Sequence, residues 1–196
     1  MTQIFALISV LLNLVATVIY INQIVKNKST PNPSSWVIWL VVNVVNLVTY
    51  FFLVDKSVWV TLASLTSTTV VSIIFLLSLI KGKFTKISRI DTISLVMAIG
   101  IGFLWKTTDN ALVSNVALQI IFFISFFPTI NGLVTKVARE SPIPWFLGSF
   151  AYVLQIIIII LNPVTLWALI FPLIQIVGQG AIALISYNKT NSHVVH

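Results

Sequence analysis

The sequence predicts an all-α integral membrane protein: seven transmembrane helices, arranged as two parallel three-helix repeats joined by an inverting linker helix (3+1+3). Three observations predict it. The 196-residue chain is 58% hydrophobic and 8% charged, with a mean hydropathy of +1.07. A soluble domain carries roughly a quarter charged residues, so this composition provides no water-compatible surface. The apolar residues fall into seven runs, of which only the fourth is short for a membrane crossing. Finally, a short pattern occurs twice, 109 positions apart: Ile21-Asn22 returns as Ile130-Asn131, Val25 as Val134, Pro33 as Pro142 and Trp36 as Trp145.

A helix needs about 20 apolar residues to cross the hydrocarbon core. The predicted segments are 4–25, 36–54, 58–80, 92–105, 111–134, 145–161 and 164–185. The first begins almost at Met1, without a charged leader or a small-residue cleavage site, and reads as a retained helix rather than a signal peptide. Pro31 and Pro33 stand before the second segment, and Pro142 and Pro144 before the sixth. Proline suits a first helical turn, where its missing N–H costs nothing. Asp91-Thr92 offers the fourth segment an N-cap, since a short side-chain oxygen can accept a free backbone N–H there. With Gly100 and Gly102 and little polar character, this fourth segment reads as the linker. Asn162-Pro163 predicts a tight turn between the last two segments. Pro128 and Pro172 fall inside the fifth and seventh, where proline kinks or breaks a helix.

Nine of the 11 Lys and Arg fall on one side: Lys26, Lys28, Lys81, Lys83, Lys86, Arg89, Lys136, Arg139 and Lys189. Lys56 and Lys106 fall on the other. The positive-inside rule then places the N-terminus outside and the C-terminus in the cytoplasm, as an odd number of spans requires. Topology absorbs the basic excess, and no nucleic-acid partner is implied. Three is odd, so a second unit following directly would insert upside down. The fourth helix turns the chain once more and makes the repeats parallel, related by an axis along the membrane normal. The expected units are a first bundle (1–80), a linker with the fourth helix (81–110), a second bundle (111–187) and a cytoplasmic tail (188–196). Without cysteine there is no disulfide framework or thiol chemistry. Brevity, the lack of cysteine and bare termini point to a multi-pass protein of a prokaryotic cell membrane.

No Asp, Glu, Lys, Arg or His falls well inside any segment. Ionisable groups at membrane depth mark ion and proton pathways. Their absence argues against a proton-coupled pump, an intramembrane hydrolase and a retinal protein with its Schiff-base lysine. No enzyme, catalytic residue, metal or cofactor is expected. Neutral polar and aromatic groups remain. Trp39, Asn43, Asn46 and Tyr50 share one helical face. The repeat offset maps Asn43 to Tyr152 and Asn46 to Gln155. The third segment offers Thr61, Ser64, Thr68 and Ser72, the seventh Gln175 and Gln179, and the first Asn13, Thr17 and Tyr20. Carboxamides and hydroxyls donate and accept together, and aromatic rings stack on flat solute faces. Trp39, Asn43, Asn46, Thr68, Tyr152, Gln155, Gln175 and Gln179 are therefore candidate substrate-binding residues for a small neutral solute. Such groups also join transmembrane helices to one another, and both roles are open. Trp36, Trp59, Trp105, Trp145 and Trp167 lie near segment ends and are expected as interfacial anchors.

Ile21-Asn22-Gln23-Ile24-Val25-Lys26-Asn27-Lys28-Ser29-Thr30 is similar to a PQ-loop stretch, with Asn22 where the proline of that name would stand. Thr135-Lys136 through Ser141-Pro142-Ile143-Pro144-Trp145-Phe146 looks like the entry into the sixth helix of the same group, and Pro172, Gly180 and Tyr187 match its seventh. Together with the 3+1+3 plan, these stretches resemble the SWEET sugar transporters and the wider PQ-loop superfamily. The resemblance implies a uniporter that moves a small neutral solute, a sugar foremost, by alternating access between the two bundles. It implies hinges at Pro33, Pro128 and Pro142, which Pro172 joins as an in-helix proline. The expected partners are the solute and the lipid bilayer, and a homo-oligomer is compatible with both. The chain departs from the family in lacking its first-helix proline and in placing Leu173 where the family has a sugar-binding asparagine. Trp36-Val37-Ile38-Trp39 followed by Asn43 is also similar to the aromatic motif of vitamin-precursor (nicotinamide riboside type) transporters. A vitamin-precursor or nucleoside solute is therefore the alternative, and a non-transporting membrane receptor or scaffold a third reading.

Overall fold

The computed structural model describes residues 1–31, 33–82, 89–135 and 139–192. It is all-α: α1 (Thr2–Val25), α2 (Pro33–Leu53), α3 (Val58–Lys81), α4 (Arg89–Thr108), α5 (Ala111–Ser125), α6 (Phe127–Val134), α7 (Pro142–Ile160) and α8 (Ile170–Ser192), with a 3₁₀ turn over Leu166–Leu169. Among the described residues, six apolar stretches have the length and composition to cross a membrane, α5 and α6 together forming one of them. In α4 the apolar part is shorter, Leu95–Thr108. The chain is thus a multi-pass membrane protein in length and composition of its helices.

Local chemistry ends the helices where the sequence changes character. Asn27, at φ 55°, sits just beyond the last turn of α1. Its N–H donates to the Ile24 carbonyl at 3.0 Å, and Lys28 N–H donates to Gln23 at 2.8 Å. This is the double reverse bond that satisfies the last carbonyls of a helix, built on a residue type that tolerates the left-handed region. The same pair of bonds closes α2 through Asp55 and Lys56, to Phe52 at 3.3 Å and Phe51 at 2.8 Å. The Asn110 side chain caps α5 by accepting from Val113 N–H at 3.1 Å. The expected cap of the fourth helix differs: α4 already includes Arg89, so Asp91 and Thr92 lie within its first turn.

The prolines act in two ways. Pro33 and Pro142 each open a helix, α2 and α7. Pro172 is also in a first turn, that of α8, so the interruption expected there is a 3₁₀-to-α junction rather than a mid-helix kink. Pro128 does interrupt its span. It lacks the N–H that would carry the ladder across the α5–α6 break at Phe126.

The long helices close a ring in the order α1, α7, α8, α5–α6, α2, α3, and α3 also reaches across to α7. α4 stands outside the ring against α2 and α5. Large apolar side chains such as Leu7, Leu11, Val18, Leu76, Phe103 and Ile120 face outward, while Asn13, Asn43, Asn46, Asn115, Gln119, Gln155 and Gln175 are buried. Asn46 is the hub of the largest polar cluster. Its Nδ2 donates to Ser64 Oγ at 3.0 Å, and its Oδ1 accepts from Asn115 at 3.1 Å and Gln119 at 2.9 Å. Asn115 also donates to Thr49 Oγ1 at 3.0 Å. One carboxamide thereby joins α2, α3 and α5. We predict that Asn46→Leu, which strips three buried groups of a partner, lowers the thermal unfolding midpoint in detergent by the equivalent of about 1–3 kcal/mol. Val44→Ala, on the exposed face of the same helix, is expected to leave that midpoint in place.

Candidate functional site

A cavity of about 80 Å³ lies at the centre of the ring. One buried water needs roughly 10–15 Å³, so the space exceeds a packing defect. All ring spans line it: Asn13, Thr17 and Tyr20 from α1; Trp36, Trp39 and Asn43 from α2; Ser67 and Ile74 from α3; Phe122 from α5; Trp145, Gly148 and Tyr152 from α7; Gln175 and Gln179 from α8. Phe126, at the α5–α6 break, completes the wall.

The middle of the cavity is neutral and polar. Asn43 is held at both ends of its carboxamide, donating to the Trp39 carbonyl at 2.8 Å and accepting from Ser67 Oγ at 2.9 Å. Gln179 donates to Gln175 Oε1 at 3.0 Å. Asn13 donates to the Ser9 carbonyl at 3.1 Å. Asn13 Oδ1 and the Gln175 amide N–H groups make no hydrogen bond among the described residues, leaving an acceptor and donors on the cavity wall.

Aromatic rings narrow one end, which we call the basic end because the described residues place Lys26, Lys28, Lys81, Arg89, Arg139 and Lys189 there. Tyr20, Trp36, Trp39 and Trp145 form a closed cycle, with successive centroids 5.8, 5.4, 5.9 and 6.0 Å apart. Phe126 leans edge-on against Trp39 at 5.1 Å. Beside the Pro128 break, the Ser125 carbonyl accepts the Trp39 indole N–H at 3.2 Å. The break therefore helps to orient a cavity residue.

Glu140 rests on this collar. Its two oxygens accept the Tyr20 hydroxyl at 2.9 Å and the Trp145 indole N–H at 3.3 Å. Burial pushes its carboxyl up to about 7, with the hydrogen bonds from Tyr20 and Trp145 opposing the rise. The other end is braced differently. Tyr50 donates its hydroxyl to the Ala168 carbonyl at 3.1 Å, and Gln155 donates to the Val60 carbonyl. Phe171 packs between Tyr50 and Tyr152, at 5.3 and 5.4 Å.

Of the residues expected to bind solute, Trp39, Asn43, Tyr152, Gln175 and Gln179 share the cavity wall. Asn46, Thr68 and Gln155 lie away from it. Asn46 is the α2–α3–α5 hub, Thr68 bonds to the Ser64 carbonyl at 2.9 Å, and Gln155 fastens α7 to α3. The expected division of the tryptophans changes as well. Trp59 and Trp167 are exposed, as anchors would be, but Trp145 is buried and Trp36 turns into the collar. Glu140 escaped the sequence reading because it stands outside every apolar run. Asn115 and Gln119 also escaped, although their four-residue spacing on the fifth segment is a readable signal. Lys83, Lys86 and Lys136 lie outside the described residues.

Compared with family models, curated proteins and solved structures, the chain returns no match.

Gly148 sets the fit between α7 and α8. A Cβ built there would lie 2.1 Å from Gln179 Oε1. Gly148→Ala is expected to push Gln179 off Gln175 and to lower the detergent unfolding midpoint by the equivalent of about 1 kcal/mol, the loss of one hydrogen bond at the end of a flexible side chain. Adding Gln179→Ala should restore most of that loss. A loss that persists in the double variant would show that Gln179 is not what Gly148 accommodates.

Proposed function

We propose that this chain is a facilitative transporter that carries a small neutral polar solute, a sugar foremost, through the central cavity by alternating access. The observation that carries the reading is the cavity wall, to which every ring span contributes. Its middle offers Asn13, Asn43, Gln175 and Gln179, whose carboxamides can replace the donors and acceptors of the water a polar solute leaves behind. Aromatic faces at the basic end suit the flat side of a ring-shaped solute.

The moving parts are two three-helix bundles, α1–α3 and α5–α8, with α4 as the inverting linker. The packing supports this 3+1+3 arrangement. The 109-residue offset pairs α1 with the α5–α6 span and α2 with α7, so a two-fold relation expects each α1–α7 contact to have an α5–α2 counterpart. Both seams are present, and α4 lies outside them. The repeat partners Trp36 and Trp145, and Asn43 and Tyr152, all line the cavity. The positive-inside rule puts the basic end in the cytoplasm, with Lys56 and Lys106 outside.

A nucleoside-type solute is the second reading. It is favoured by two indole faces beside a carboxamide: the Trp36 and Trp39 rings stand 5.4 Å apart, tilted 53° to one another, and Asn43 bonds to the Trp39 carbonyl, so either ring can stack on a base.

Sugars, nucleosides and amino acids screened by thermal shift should reveal the class, since a ligand of the folded state raises its stability by mass action. With the solute so found, Trp39→Ala combined with Asn43→Ala should cut uptake into proteoliposomes by at least about tenfold, the equivalent of roughly 1.4 kcal/mol of lost contact. Undiminished uptake by a folded double variant would remove these residues from the solute path.

A further inference from the structure

Glu140 precedes α7, yet it bonds to Tyr20 near the end of α1. It therefore spans the α1–α7 seam, which under the proposed arrangement divides the two bundles. Tyr20 and Trp145, its two partners, are themselves walls of the cavity. No described cation pairs with it. Arg139 next to it is exposed, as are Lys26 and Lys28 on the α1–α2 connection, and the Lys189 ammonium of α8 is directed to the Leu133 and Val134 carbonyls. From α1 it faces the Tyr20 hydroxyl, from α7 the Trp145 indole, and from the α1–α2 connection the buried Ser29. Among the described residues, the carboxyl so placed has hydrogen-bond donors but no counter-charge, so its ionised form loses more hydration than those neighbours return.

We propose that Glu140, with Tyr20 and Trp145, forms a pH-operated latch that holds α1 against α7 at the basic end of the cavity while its carboxyl is protonated. Closed, the carboxyl is pushed up to about 7 by burial, against 4.5 for a solvated one. Opened into water, it returns towards that lower value. The closed state thus holds the proton more tightly, and acid favours it. As pH rises through about 7 the carboxylate forms, and hydration draws it out from between Tyr20 and Trp145. Separation of that contact loosens one edge of the aromatic cycle. In transport, the compartment facing the basic end would then release α1 from α7 when it is neutral to alkaline and hold them together when acid.

This inference rests on the reading of the cavity as a solute path only for its effect on flux, and its test uses no solute. The chain contains no cysteine, so Thr17→Cys places a single thiol on the cavity wall. Its labelling by a membrane-impermeant maleimide, in protein reconstituted with the basic end accessible, is followed against pH. In Glu140→Gln the profile contains only the ordinary rise of thiol reactivity and serves as the reference. Relative to that reference, the Thr17→Cys protein should label roughly fivefold faster at about pH 8 than at about pH 6. Tyr20→Phe keeps the ring and removes the hydroxyl, so it should label faster than the parent at the acid end. Coincident profiles with and without Glu140→Gln, or a Tyr20→Phe profile identical to the parent, would overturn the latch. A titrating profile in a protein that moves no solute would leave the latch standing and remove the transport reading instead.

Discussion

Hydrocarbon offers no hydrogen bonds, so every polar group at membrane depth must find its partner inside the protein. That constraint shapes this molecule more than any apolar contact does. Lipid tails are as apolar as leucine, so burying leucine gives the helices little reason to associate. Here the polar side chains provide the reason. Asn46 gathers Ser64, Asn115 and Gln119 from two other helices, and its burial follows from those bonds. The outward faces are left to isoleucine, leucine, valine and phenylalanine.

Ring closure then sorts the carboxamides into two groups. Those directed at a neighbouring helix fasten it, as Asn46 and Gln155 do. Those directed at the axis cannot all be served by neighbours and become the cavity wall. Asn43 and Asn46 lie on one face of α2, one turn apart, yet they have opposite fates. Asn43 looks towards the centre, where Ser67 steadies it, whereas Asn46 looks into the seam with α3 and α5. Their chemistry is identical. Only the angular position of the partner helices separates them.

The two ends of the cavity are held together by different forces. Away from the basic end, directional bonds to backbone carbonyls from Tyr50 and Gln155 bind one side of the ring to the other. At the basic end, ring contacts do the work, together with one carboxyl. Aromatic contacts tolerate sliding and tilting with modest change in energy, whereas a carbonyl bond weakens steeply once misaligned. The chain break at Phe126 and Pro128 also falls beside the aromatic end, where it orients Trp39 through the Ser125 carbonyl. The difference follows from which side chains stand at each end: Tyr50 and Gln155 at one, and Tyr20, Trp36, Trp39, Trp145 and Glu140 at the other.

Read alone, the sequence determined the helices. Apolar runs of bilayer length and prolines at helix entries are local signals, and α1, α2, α3 and α7 start or stop within a few residues of where those signals fall. It also singled out five residues of the cavity wall, because Trp39, Asn43, Tyr152, Gln175 and Gln179 are polar or aromatic where lipid would forbid them without a partner. Only the tertiary structure decided which of those residues face the cavity and which fasten helices. Asn46 and Gln155 have the same spacing and composition signals as Asn43 and Tyr152, and spacing along one helix does not say which neighbour stands opposite. Nor could hydropathy reveal that Trp36 and Trp145 turn inward, or that Glu140, outside every apolar run, folds back over the Tyr20 ring. The placements of Trp145 and Glu140 depend on contacts between residues about 120 positions apart, the separation of Tyr20 and Glu140, and they exist only once the ring has closed.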